Sequence, residues 1–70
     1  MNTTDHLIKM ANQIAANLAA QGQEVAIRET AQHIIDFWDP RMKAGIAAAD
    51  HTPLSDIARA AVGIVTARAG

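Results

Sequence analysis

Three histidines and one pair of aspartates are the residues of this 70-residue chain from which an active site would have to be built. His6, His33 and His51 stand 27 and 18 residues apart. No two of them share the i, i+4 spacing that sets imidazoles on one helical face around a metal. The chain has no cysteine, which removes thiolate ligands, disulfides and cysteine nucleophiles together. Asp36 and Asp39, three apart, could bring two carboxylates side by side, an arrangement that does acid–base work when a cleft encloses it. A chain this short has little volume for a cleft, and an aspartate beside a proline reads more simply as a helix cap. There is no G-x-S-x-G elbow, no glycine-rich phosphate loop and no H-E-x-x-H. The residues therefore predict no catalytic group, no metal site, no cofactor site and no small-molecule substrate for this chain.

Composition narrows the partners. Six Lys and Arg against seven Asp and Glu give a net charge of −1, with no electrostatic footprint for nucleic acid or an anionic membrane. Leu54–Val65 places an Ile-Ala pair ahead of a glycine as a helix-turn-helix does, but Gly63 falls one residue late. The segment that would enter the groove carries only Arg68 as a cation, so an uninterrupted amphipathic helix is expected instead. No apolar run approaches the ~20 residues of a membrane span. Met1–His6 lacks the basic and apolar stretches of a signal peptide, so the expected compartment is the cytoplasm. Half the residues are apolar, yet one Phe and one Trp are the only large aromatics. Below about 70–80 residues one core supplies only ~3–5 kcal/mol net. With little area on each alanine, the chain is expected to be marginal alone and to need a partner.

Helix is the one period that fits, and it predicts a single all-α domain over 1–70, a small bundle of three longer helices plus one short one. Thr4 is expected to cap a first helix, whose stripe is Leu7, Met10 or Ala11, Ile14 and Leu18. Gly22 is expected to end it in the left-handed region. A second helix from Gln23 or Glu24 to about Trp38 carries Ile27, Ala31, Ile34 or Ile35, and Trp38, with Glu24 and Arg28 as a surface pair. Asp39 caps a third, short helix, Pro40 to about Ala49, and Pro40 fits its first position. Gly45 in its middle costs about 1 kcal/mol relative to alanine, so this helix is expected to fray or bend. Thr52-Pro53 repeats the device and opens a last helix with Leu54, Ile57 or Ala58, Ala61 and Val65 inward.

The most unusual stretch is Phe37-Trp38-Asp39-Pro40-Arg41-Met42. Both aromatics are adjacent just before a proline-fixed corner. Neighbouring helical positions lie about 100° apart, so Trp38 can turn inward while Phe37 turns outward. The two rings can equally be no more than filler for a core short of large residues. Arg41, past the corner, has a donor fork suited to a partner carboxylate or carbonyls. The side-chain amides of Asn12 and Gln13 could satisfy backbone groups of a partner or simply face water.

Met10-Ala11-Asn12-Gln13-Ile14-Ala15, then His33-Ile34 and Phe37 through Met42, then Pro53-Leu54 with Ala61-Val62, together resemble the delta subunit of NAD-dependent formate dehydrogenase. The resemblance spans nearly the whole chain. It departs where that family often has a glycine-rich connection and this chain has Ala47-Ala48-Ala49-Asp50-His51-Thr52. It implies a non-catalytic accessory subunit of a cytoplasmic complex that oxidises formate and reduces NAD. The complex would carry a molybdenum or tungsten pterin, iron–sulfur clusters and FMN, none of them on this chain. The implied partner is the catalytic alpha subunit, and through it the other subunits, with support of assembly or stability as the role. The residues implied to meet that partner are Phe37, Trp38, Asp39, Pro40, Arg41 and Met42, with Asn12 and Gln13. The competing reading is a free-standing helical interaction module or homodimer unrelated to formate oxidation.

Overall fold

Good helix formers interrupted at one glycine and two X-Pro pairs produce helices that break where the sequence is punctuated. In the computed structural model, which describes residues 3–69, α1 spans Thr3–Leu18, α2 Gln23–Phe37, α3 Pro40–Ala48 and α4 Asp56–Ala69. Met1, Asn2 and Gly70 lie outside the described residues. The expected three longer helices and one short helix are 16, 15 and 14 residues against 9. A 3-10 turn, Ala19–Gln21, links α1 to α2. Among the described residues, no helix is long and apolar enough to cross a membrane.

Four boundary expectations need correction. Thr4 lies inside α1 rather than capping it, because the helix already includes Thr3. Gly22 has φ 100° and ψ 150°, a mirror-image extended conformation rather than the left-handed helical one. That region belongs to glycine almost alone, so the residue type was required for a different geometry. Its carbonyl accepts the first bond of α2, from Ala26 N–H at 2.9 Å. Thr52 does not open the last helix: His51–Leu54 is a turn closed by Leu54 N–H to His51 C=O at 3.0 Å. Ser55 is the cap instead, with its hydroxyl accepting from Ala58 N–H at 3.2 Å. Glu24 and Arg28 do not pair either; among the described residues the ion pair is Asp56 with Arg59, 3.3 Å apart. Gly63 leaves α4 unbroken, as an amphipathic helix requires and a helix-turn-helix does not.

The helices close around small side chains. Of thirteen buried apolar residues among those described, six are alanine: Ala11, Ala15, Ala26, Ala31, Ala58 and Ala61. Of the three open choices along the stripes, Ile34 is buried and Ile35 half-buried, and in the other two the smaller residue is central. Ala11 and Ala58 are buried, whereas Met10 and Ile57 are half-buried and pack against the flank of the core. Leu7, Ile34, Trp38, Ile46, Leu54, Val62 and Val65 supply the larger volume. The broadest contact is α2 against α4, with α1 laid across both and α3 closing one end. The Cα radius of gyration, 10.8 Å, matches the roughly 11 Å expected of a compact domain of this length.

Helix α3 runs unbroken through Gly45. A Cβ at residue 45 would sit 2.9 Å from Leu7 Cδ1, inside contact distance, so a methyl there would make the end of the Leu7 side chain shift where α3 meets α1. One buried group is left unpaired: the Thr30 hydroxyl, fully buried in α2, has no hydrogen-bond partner among the described residues. Such an orphan costs roughly 1–3 kcal/mol.

Two stability measurements by urea denaturation follow from these contacts. Gly45→Ala is expected to cost about 1 kcal/mol in the otherwise unchanged chain. In a Leu7→Val background, where Cδ1 is gone, the same change is expected to stabilise by about 1 kcal/mol through helix propensity. Additive effects would mean that the two residues do not meet. Thr30→Val, near in shape and lacking the hydroxyl, is expected to raise stability by about 1 kcal/mol; a loss would show that the hydroxyl has a partner.

Candidate functional site

The corner between α2 and α3 is built from the sequence signals that predicted it. Trp38 leaves the helix with φ −86° and ψ 135°, and Asp39, the residue before the proline, is held extended at φ −74° and ψ 167°. Its N–H still donates to Ile34 C=O at 3.0 Å. Asp39 caps α3, its Oδ1 accepting from Met42 N–H at 2.8 Å, and Pro40 takes the first helical position. Lys43, which the sequence reading passed over, ties the two helices: its Nζ donates to Ile35 C=O at 2.9 Å. A cation just beyond a helix C-terminus satisfies an orphan carbonyl and suits the negative end of the helix dipole, and that placement was the signal available.

The two aromatics part at this corner. Trp38 is 4% exposed and joins the core, whereas Phe37 is 73% exposed. The Phe37 ring lies against His33, with centroids 4.9 Å apart and planes tilted by 41°, a contact legible from their i, i+4 spacing. Arg41 is exposed and makes no hydrogen bond or ion pair among the described residues. Met42 is half-buried against the core. Asp36 and Asp39 are each engaged locally, Asp36 with Gln32 Nε2 at 2.8 Å and Asp39 in its cap. The three histidines sit on α1, α2 and the loop before α4. Among the described residues, no group of three or more His, Cys, Asp or Glu could hold a metal ion.

Asn12 and Gln13 part in the same way. Gln13 is exposed. Both ends of the Asn12 amide are taken up by the loop ahead of α4: Nδ2 donates to Pro53 C=O at 3.0 Å, and Oδ1 accepts from Ser55 N–H at 2.8 Å. Arg59 grips that loop from the other side, donating to the carbonyls of Leu54 at 2.8 Å, His51 at 3.3 Å and Thr52 at 3.4 Å. His51 Nε2 donates to Ile46 C=O at 2.8 Å, holding the loop to the end of α3. Asp50 accepts from the Thr52 hydroxyl at 2.7 Å and from its N–H at 3.0 Å. These bonds hold its carboxyl below the usual carboxylate range, the hydroxyl contributing most. The stabilisation they bring is present above the ordinary aspartate pKa and is lost as pH falls through the lowered value. The Asn12 clamp was not legible in the sequence, because Asn12 lies more than forty residues from the carbonyl it meets.

The hydrogen bonds of the corner and of the loop ahead of α4 hold shape and leave Phe37, Arg41 and Gln13 exposed. Searches among curated proteins and among solved structures find no match. A family model described as the NADH-dependent formate dehydrogenase delta subunit matches residues 6–62. That span takes in the whole corner and the Asn12 clamp, and on it the chain belongs to the formate dehydrogenase delta subunit family, FdsD.

Proposed function

We propose that this delta subunit is a non-catalytic docking subunit, which seats on the catalytic alpha subunit through the α2–α3 corner. In this reading it supports assembly or stability of the cofactor-loaded enzyme in the cytoplasm and leaves formate oxidation to its partners. The molybdenum or tungsten pterin, the iron–sulfur clusters and FMN belong to those partners. The residues present here do not fit such groups: there is no cysteine to ligate a cluster, and the described histidines and carboxylates do not converge.

The observation that carries the reading is Phe37. A chain with one Phe and one Trp, and a core filled in part by alanine, leaves the Phe ring 73% exposed. Burying an aromatic side chain removes about 150–250 Å² from water, worth several kcal/mol at ~25 cal/mol per Å². A fold this short of apolar volume gains most by placing Phe37 inside, so its position outside points to a cover supplied by another chain. The unpaired Arg41 beyond the corner, with its fork of donors, fits the rim of such a contact. Trp38, Asp39, Pro40 and Met42 hold the corner in shape behind those two, and Asn12 does so for the neighbouring loop. Gln13 extends the exposed surface on α1.

Two aromatic substitutions separate docking from folding. Trp38→Ala is expected to lower the stability of the isolated chain by about 3–5 kcal/mol. Phe37→Ser is expected to leave that stability within roughly 0.5 kcal/mol, as exposed substitutions do. In a pull-down with the tagged chain, Phe37→Ser is expected to lose the alpha subunit that the unchanged chain recovers together with NAD-linked formate oxidation. Full recovery with Phe37→Ser would remove the corner from the interface. A stable homodimer of the unchanged chain that recovers no alpha subunit would overturn the docking role itself.

A further inference from the structure

We infer that the partner surface covering Phe37 presents an arginine side chain to it; this rests on the docking reading above and adds the chemistry of the partner. Phe37 forms one wall of a shallow, open depression of about 250 Å³ whose other lining residues are Leu18, Glu29, Gln32, His33 and Asp36. The lining is an apolar ring, a half-buried leucine and two carboxylates, with neither Lys nor Arg among them. Arg28, next to Glu29 in sequence, is turned about 100° away around the helix. Lys43 is committed to Ile35 C=O on the far side of the corner.

Two walls of the depression are set in advance. Gln32 Nε2 holds Asp36 Oδ1 at 2.8 Å, and His33 backs the Phe37 ring at 4.9 Å between centroids. Glu29 is exposed and carries no hydrogen bond or ion pair among the described residues. A purely apolar cover would bury these carboxylates without a counter-charge, which is costly. An acidic cover would repel them. A lysine would neutralise one as a point charge. A guanidinium can lie flat on an aromatic face and donate its fork to flanking carboxylates in the same pose. Arginine is the side chain that answers both the ring and the acids.

The test is competition for assembly. Unchanged and variant delta chains are co-expressed with the remaining formate dehydrogenase subunits, and their ratio in the purified complex is read by mass spectrometry. The double variant Glu29→Gln/Asp36→Asn keeps the shape of the depression and removes its charge. It is expected to be depleted about tenfold against the unchanged chain, the scale of a close charge pair across an interface. Glu24→Gln, which removes a carboxylate outside the depression, is expected to compete equally. Depletion of Phe37→Ser without depletion of the double variant would overturn the arginine and leave docking at the corner standing. Equal competition by both would overturn both. Enrichment of the double variant, or equal depletion of Glu24→Gln, would also overturn the arginine, the first by indicating an apolar or acidic cover and the second a general charge effect.

Discussion

Close approach of helix to helix across alanine is the constraint on which this fold rests, because the chain has too few large side chains to fill a wider gap. Dispersion between packed atoms falls steeply with separation, so an interior of this composition gains enough only when its helices nearly touch. Among the described residues, the six buried alanines lie on α1, α2 and α4, the three helices that meet one another most broadly. Gly45 continues the same logic on α3, where even a methyl would crowd Leu7. The larger Met10, Ile14, Ile35 and Ile57 are displaced to the flanks, where they seal the seams.

Helices held that closely leave their ends little latitude, and the polar side chains are spent there. Asp39 and Ser55 cap the starts of α3 and α4, while Lys43 and His51 satisfy carbonyls near the ends of α2 and α3. Asn12 and Arg59 pin the intervening loop from two sides. The loop is thereby shaped by side-chain bonds that replace the backbone ladder it lacks. Among the described residues, the buried side-chain polar group outside this scheme is the Thr30 hydroxyl.

Membership in the formate dehydrogenase delta subunit family gives these features a common sense. In the docking role proposed above, a subunit that presents a surface needs a frame that does not yield when a partner presses on it. Polar side chains knit that frame, leaving Phe37 and Arg41 outside it. The motif that carries the resemblance therefore divides at a single peptide, with Trp38 serving the fold and Phe37 facing out.

The helix class and the Asp39-Pro40 corner were legible because each depends on local chemistry: periodicity, and a cap beside a proline. The other helix starts were less so. Thr4, and Thr52 beside Pro53, had cap chemistry as good as Ser55, and only the path of the chain selects among such residues. Periodicity also left Met10 or Ala11 and Ile57 or Ala58 open, since neighbours on a stripe share a face and the distance to the next helix decides which points at its axis. The sequence by itself determined roughly where the helices are, and the spacing along α2 already placed Glu29 and Asp36 on the same helix as Phe37. The tertiary structure alone decided that alanine would be central, that Asn12 would be consumed by a loop forty residues away, and that Trp38 would be buried while Phe37 stayed outside, because each depends on contacts between segments that local preferences do not encode.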